Sequence, residues 1–440
     1  MKPELFFLPN GENDILYAPL RRFIAEVSSS VKNAVAAHMN GLALDESQNK
    51  VIGILKDKGV FDEAEPPKIE EEFCPTRVTL FPTDFCNLRC RYCYASAAEG
   101  GHRLPMNAAR AAIDLISENA KKKGYSQFSL GFHGNGEPFM AQDIMQECCE
   151  YAAGIAEKNN VRCQFSTATN GVLSDSDLDF LLAWIADVNV SFDILPDIQN
   201  RQRPTAGGGG SFDRVSHTLS RLDAAGAQYG IRATITTESV TRLREMAAFA
   251  KEHYPKCNVL HMEPVFEVGR ALLTGQSSPP SEIFVREFIK AQNELKGSGI
   301  RLVYSGARSN GLYASFCSVC RNGFTVTAEG NATSCYEVCT YQDPRAQRYI
   351  YGKYDEQSGK FLFDSEKMEL LSKLNVSNFS YCEDCFCKWH CAGDCTAKTL
   401  GLGSLEQHAG SERCVITRAL IYREVLERMG VDAGIEPVFI

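Results

Sequence analysis

Between residues 77 and 302 short β-branched and aromatic runs alternate with longer runs of helical period. The apolar runs at 77–81, 127–133, 162–168, 187–192, 230–236 and 257–264 predict strands. The amphipathic stretches 107–121, 141–157, 174–186, 212–224, 240–252 and 281–296 predict helices between and after them. A helix after each strand carries the chain back to start the next in the same direction, so six such repeats predict a parallel sheet. Periodicity alone does not separate an open sheet from a barrel.

The first sixty residues follow a different pattern. Leu5–Leu8 and Ile15–Tyr17 flank Pro9-Asn-Gly-Glu-Asn13, a hairpin signal, and Arg22–Val27 predicts a third strand. Helical spacing then starts at Val31, after serines 28–30 that can cap it. A second helix is predicted over 48–60, with Val51, Ile52, Ile54 and Leu55 facing inward and Gly59 ending it. Residues 62–72 are acidic and contain Pro66-Pro67, the composition of a solvated linker.

Composition narrows the classes. At 440 residues, two to three domains are expected, and 44% hydrophobic with 23% charged residues is a globular composition. A net charge of −9 without a long basic run argues against nucleic acid. No apolar stretch has membrane-spanning length and Met1-Lys-Pro-Glu-Leu5 has no signal-peptide pattern, so a cytoplasmic protein with no membrane partner is expected. Against that background eighteen cysteines are anomalous. Close Cys spacings in a reducing compartment favour metal ligation over disulfides. They also segregate, three at 86–93 and a dense run from Cys317 to Cys395 plus Cys414. Cys148, Cys149, Cys163 and Cys257 between them are expected as small buried hydrophobes.

The first group is Cys86-Asn-Leu-Arg-Cys90-Arg-Tyr-Cys93, a C-x3-C-x2-C run following the first barrel-region strand and the turn Pro82-Thr83-Asp84. Three close thiolates fit one face of a cubane iron–sulfur cluster and leave one iron for a small molecule. A zinc knuckle with a distant fourth ligand is the bland alternative. With Tyr92 and the preceding strand, the run resembles the cluster loop of radical S-adenosylmethionine (SAM) enzymes. The resemblance implies a partial (β/α)6 TIM-type barrel, an α/β fold, over 77–305, with reactive groups at the strands' C-terminal ends. It also implies that SAM chelates the open iron through its amino and carboxylate groups.

The strand ends carry further matches. Gly131-Phe-His-Gly-Asn-Gly-Glu-Pro138 resembles the family's Gly-Gly-Glu-Pro turn, implying SAM contacts from Gly134, Asn135, Gly136 and Glu137. Asn135 stands where Gly is usual. Thr169, at the third strand's end, and Ser191 with Asp193, at the fourth's, resemble further SAM-contacting positions, although Ile194 replaces a Gly. Arg203 resembles an Arg near the SAM carboxylate, with a surface salt bridge as its alternative. Gly207–Gly210 has no phosphate-loop pattern and reads as a flexible loop at the barrel mouth. His133 reads as a barrel-lining base or a hydrogen-bonded interior histidine.

The C-terminal cysteines, Cys320-x9-Gly330-x4-Cys335, then Cys382-x2-Cys385-x5-Cys391-x3-Cys395 and Cys414, resemble the SPASM extension of radical SAM enzymes. Gly330 falls in a hairpin turn between 324–327 and 332–334. Adding Cys317 makes eight, the number two closed cubanes need. The resemblance implies one auxiliary cluster on Cys317, Cys320, Cys335 and Cys395 and another on Cys382, Cys385, Cys391 and Cys414. Cys339 and Cys387 are left over, and either can replace a ligand. A zinc ribbon remains the alternative.

The chain is thus divided into a winged-helix-like α+β unit (1–61), a linker (62–76), the barrel (77–305), a cysteine-rich SPASM region (306–418) and a C-terminal helix and tail (419–440). The resemblance implies SAM and three [4Fe–4S] clusters as cofactors, with SAM cleaved to a 5′-deoxyadenosyl radical that removes hydrogen from substrate. It implies a peptide or protein partner, here a leader-bearing precursor, and a flavodoxin- or ferredoxin-type reductant. The N-terminal unit resembles leader-recognition domains, which take a peptide on a sheet edge; a stabilising extension is the alternative. Ribosomal peptide maturation (cross-linking, thioether formation or epimerisation) is favoured over the anaerobic sulfatase-maturating type, which places its cluster loop nearer the N-terminus and an Asp after the residue corresponding to Cys335. Here Tyr336 follows Cys335, and Glu337 is a candidate base. A non-catalytic iron–sulfur electron carrier or a zinc scaffold is the reading from another class.

Overall fold

The computed structural model describes residues 3–431 and 437–439, apart from 71, 96–98 and 321. Met1 and Lys2, Glu71 of the acidic linker and tail residues 432–436 and 440 therefore lie outside the described residues. The N-terminal unit is a meander of β1 (Phe6–Asn10), β2 (Asn13–Ala18) and β3 (Phe23–Val27), followed by α1 (Ser29–Met39) and α2 (Glu46–Asp57). From Ile15 to Ala18 strand β2 is apolar because both its faces are covered there. Leu16 packs under the two helices, while Ile15 and Tyr17 point the other way onto Phe386, Cys391 and Tyr422 of the C-terminal region. Two local expectations fail here. Ser28 occupies the N-cap of α1, but its hydroxyl bonds Ser30 instead of a backbone N–H. Ile54 of α2 points outward, 49% exposed, whereas Ile52 and Leu55 are buried.

The predicted repeats form as read. Strands β4 (Arg77–Leu80), β7 (Gln127–Phe132), β8 (Arg162–Thr169), β9 (Asp187–Ser191), β10 (Tyr229–Ile235) and β11 (Cys257–Pro264) are parallel neighbours in that order. A hairpin of β5 (Thr83–Phe85) and β6 (Glu99–Arg103) brackets the cysteine loop between β4 and β7. Helix Met106–Lys122 shows why the crossovers stay on the sheet: Ala109, Ala112, Ile113, Ile116 and Ala120 recur at helical spacing and are all buried.

The sheet exceeds the six strands expected. Short β12 (Arg301–Val303) adds beyond β11, and on the other side β13 (Thr325–Val326) pairs with β4. The hairpin partner β14 (Asn331–Thr333), then β15 (Ile350–Asp355) and β16 (Lys360–Phe363), complete an eleven-stranded sheet with β12 and β16 at its ends. The cysteine-rich region is thereby fused to the partial barrel by backbone hydrogen bonds. The hairpin expected at 324–327 and 332–334 forms as β13 and β14, whereas its pairing with β4 had no local signal.

Candidate functional site

The loop Cys86–Cys93 is held by backbone bonds to the segment after β9. Arg89 and Arg91 donate to the Pro204 and Gln202 carbonyls at 2.7 and 2.8 Å, and Ala206 donates to Asn87 at 2.9 Å. On its other side Arg270 binds the Cys93 carbonyl through its backbone N–H and the Cys90 carbonyl through its side chain. Residues 205–209 form a turn, Thr205 donating to the Gly209 carbonyl at 2.9 Å. The glycines after Thr205 thus form a short connection beside the cysteine loop.

Cys86, Cys90 and Cys93 line a cavity of about 340 Å³ at the C-terminal ends of the barrel strands. Gly134, Asn135, Gly136, Glu137, Thr169, Ser191, Tyr92 and Arg203 line it too. Gly136 has a steric reason to be Gly, because a Cβ there would lie 2.4 Å from the Phe85 carbonyl oxygen. That close approach lets Glu137 donate its backbone N–H to Phe85 and turn its carboxylate into the site. The carboxylate accepts from the Thr169 hydroxyl and the Asn170 N–H, each at 2.7 Å, and from Phe139 N–H at 3.3 Å. Burial pushes its pKa up to about 7 despite those three donors, since no cation reaches it. The Asn135 Oδ1 is buried without a partner at the same turn.

Asp193 is placed differently from expectation. It is fully buried behind the cavity wall, where Tyr92 donates to it, Thr234 N–H reaches it at 3.0 Å and Arg203 Nε lies 3.1 Å away. Arg203 is 6% exposed and sits over the Tyr92 ring, so the surface-salt-bridge alternative is set aside. Asp193 orients Tyr92 and Arg203 and does not line the cavity itself. His133 also lines it, stacked on Tyr336 at 5.0 Å, with burial and then Arg232 lowering its pKa to about 4. A neutral imidazole whose Nδ1 accepts from Gly134 N–H matches the interior-histidine alternative. Glu337 is no surface residue; it lines the cavity, paired with Arg345 at 3.3 Å and near Lys398 at 3.9 Å.

These residues fit a cluster with SAM on its open iron. The thiols are soft donors at one end, a carboxylate lacking a cation stands ready for an ammonium, and the volume lies in the range of small-molecule sites. Among the described residues no three His, Cys, Asp or Glu side chains converge as around a single metal ion. What recommends the trio is therefore its loop and cavity, not a preformed coordination sphere.

Farther along the chain, after burial, Cys395 and Cys317 raise the Cys335 thiol pKa and Cys317 also raises that of Cys395, whereas the Cys320 thiol donates to the Ser372 carbonyl at 3.1 Å. Cys382, Cys385, Cys391 and Cys414 line one small cavity of about 20 Å³, together with Cys387. A hydrogen bond from Cys387, aided by Arg418, lowers the Cys385 thiol to about 6. Cys339 points elsewhere, its thiol donating to the Tyr336 carbonyl at 3.3 Å.

Several cavity residues escaped the sequence reading. Arg232 and Thr234 belong to the inward-facing row of β10, whose alternation with buried Ile231, Ala233 and Ile235 was legible. Lys398 and Glu263 had no local signal. Glu263 accepts from Arg413 at 2.6 Å and from Ser305 at 2.6 Å, and Arg413 also grips Asp394 through two bonds. One buried guanidinium so joins the barrel to residues beside Cys395 and Cys414.

Residues 80–250 match the model of the Radical SAM superfamily. Fe-coproporphyrin III synthase of Methanosarcina barkeri is 29% identical over 159 residues, 35% of this chain and 36% of that protein. The chain also spans only 46% of the length of an uncharacterised Synechocystis relative, at 27% identity over 41% of this chain. Among solved structures, anSMEcpe with bound AdoMet and Kp18Cys peptide superposes with a TM-score of 0.62 at 17% identity, over 80% of this chain and 96% of that one. Streptococcus suis SuiB bound to precursor peptide SuiA gives 0.54 at 14% identity, over 94% and 99%. At these identities the structures establish a shared fold.

Proposed function

From the premise that residues 80–250 form a radical SAM domain, we propose that this chain is a radical SAM peptide maturase whose SAM-binding cluster rests on Cys86, Cys90 and Cys93. Bound there, cluster and SAM supply one-electron cleavage of SAM and a carbon radical able to take hydrogen from an unactivated C–H bond. The chain's own residues do the rest. Glu137 would receive the SAM ammonium, Thr169 and Asn170 fixing its carboxylate in advance. Ser191 and Arg203, the latter aimed by Asp193 and Tyr92, would hold the SAM carboxylate. Phe266, Tyr336 and His133 wall the cavity with ring faces.

The observation that carries this reading is the meeting of the three loop thiols with the cation-free carboxyl of Glu137 on one cavity. Peptide maturation is supported by the peptide-bound proteins that share the fold and by a three-stranded N-terminal unit with exposed strand edges of the kind that take an added strand. Tyr336, and not an acid, follows Cys335, so the formylglycine-forming alternative lacks its expected base. In this reading residues 306–418 form a SPASM region. Its two auxiliary clusters rest on Cys317, Cys320, Cys335 and Cys395 and on Cys382, Cys385, Cys391 and Cys414, and a flavodoxin- or ferredoxin-type protein delivers the electron.

Reduced, iron-loaded protein mixed with SAM should release 5′-deoxyadenosine, and its absence would refute the radical chemistry. Coexpression with a short reading frame beside the gene should change the mass of the encoded peptide.

A further inference from the structure

Pairing off the charged side chains around the cavity leaves one cation over. Glu263 is consumed by Arg413, Ser305 and His261, and Glu337 by Arg345 with Lys398 nearby. Arg203 is held by Asp193. Glu137 lacks a cation but belongs to the thiol end, where the SAM ammonium is placed above. Arg232 alone keeps a free guanidinium. Its one close polar partner is the His261 imidazole, Nη1 to Nδ1 3.3 Å, and no carboxylate of the described residues lies within 4.0 Å. That imidazole is neutral, because burial and then Arg232 itself lower its pKa.

The position of Arg232 says which ligand group it meets. It stands in register with Ser191 on β9 and His261 on β11, in the inward row of the barrel. Its charge acts on His133, His261 and Glu263. The ammonium and carboxylate of SAM hang on a single carbon. Arg203, held by Asp193 over the Tyr92 ring, is the cation already assigned to that carboxylate, which leaves Arg232 for the substrate.

We propose that Arg232 is a specificity residue that binds a carboxylate of the substrate, the side chain of an Asp or Glu presented beside the reacting carbon. This rests on the peptide reading above and names the substrate class for the same site. A guanidinium offers a carboxylate two parallel hydrogen bonds that an amide cannot match, so acidic residues gain over their amides.

The test uses the iron-loaded full chain with SAM and pools of acetylated, amidated hexapeptides. One central position is fixed as Asp, Glu, Asn or Gln, so that no terminal carboxylate interferes, and retained peptide is counted by mass spectrometry. The wild type should retain the acidic pools about tenfold over the amide pools. Arg232→Gln should lose that preference, Arg232→Lys should restore part of it, and SAM affinity should stay within about twofold in both. Equal retention of all pools by the wild type, or preference surviving in Arg232→Gln, would overturn the assignment. A tenfold loss of SAM affinity in Arg232→Gln would assign the guanidinium to SAM instead. Failure of the wild type to retain any pool would sink the peptide reading and this inference together, whereas retention without acidic preference sinks this inference alone.

Discussion

Two thiol-lined hollows in this chain differ more than tenfold in size. The one bounded by Cys86, Cys90 and Cys93 has about 340 Å³ and a polar far wall. The one bounded by Cys382, Cys385, Cys391 and Cys414 has about 20 Å³, room for one or two waters. Three thiols with open space suit a metal centre that must share itself with a ligand. In the reading proposed above the second set is fully ligated and handles electrons only, and so small a hollow leaves no room for a further ligand. The geometry therefore predicts a division of labour, and substitution can break it.

The largest effect should come from the cysteines. If three cubanes are present, about twelve irons per chain are expected, and Cys86/Cys90/Cys93→Ala should leave about eight and no 5′-deoxyadenosine. Replacing Cys382, Cys385, Cys391 and Cys414 should also leave about eight, yet SAM cleavage without substrate should persist. Iron analysis with chromatography of the nucleoside separates the cases. Equal loss of cleavage in both variants would erase the distinction between the hollows.

Next comes the joint between the two regions. Arg413 is a buried cation between Glu263 of the cavity wall and Asp394, the neighbour of Cys395. Arg413→Leu strands two buried carboxylates and should destabilise the iron-free chain by about 3–5 kcal/mol in chemical denaturation. Arg413→Lys should recover only part of this, since an ammonium cannot serve both carboxylates in the same geometry. A change under about 1 kcal/mol for the Leu variant would mean that the regions are held by apolar packing and the sheet alone.

Glu137 gives a smaller effect and, unusually, two of opposite sign. Its folded pKa is raised from 4.5 to about 7 by burial, so the unfolded chain releases the proton first. In the iron-free protein this lowers stability as pH rises from 4.5 through about 7, and Glu137→Gln removes that loss. The variant should gain thermal stability relative to wild type above pH 7. Its SAM affinity should fall about 10–150-fold, the worth of a charged hydrogen bond. Loss of both stability and affinity would show that the carboxylate serves folding and not SAM.

The difference between the hollows also explains what could be read in advance. Strand ends and the Cys86 loop were legible because each lies in one continuous stretch whose period or spacing is diagnostic. Gly136 and Glu137 follow from the same local turn. What stayed hidden is assembled across the chain. Asp193 sits in a motif that suggests SAM contact, but its three partners come from the cysteine loop, the segment after β9 and β10, and they draw it behind the wall. Glu337 had no local sign of its surroundings, which Arg345, Lys398 and the cavity wall supply from distant segments. Cys320 shows the limit in the C-terminal region. The family resemblance implies the same cluster for it as for Cys335, yet its thiol lies against the Ser372 carbonyl, so the set closes only when that bond is given up.

The smallest prediction concerns how each hollow is buttressed. The β5–β6 hairpin beside the Cys86 loop carries an exposed pair, His102 Nδ1 to Asp84 Oδ2 at 2.6 Å, and the Phe85 carbonyl in that hairpin receives the Glu137 N–H. The hydrogen bond and charge of Asp84 raise the His102 pKa above its ordinary 6.5. A raised histidine stabilises fully below the unfolded pKa and loses that contribution as pH climbs through the folded one. The hairpin should therefore loosen on the alkaline side of 6.5, by less than about 1 kcal/mol because the pair is solvent-screened. With the Glu137 contribution removed by Glu137→Gln, melting of the iron-free protein between pH 6 and pH 9 should show a small decline that adding Asp84→Asn flattens, while adding Arg418→Gln, beside the other hollow, leaves that decline unchanged. Identical pH profiles with and without Asp84→Asn would remove the pair from the supports of the larger cavity.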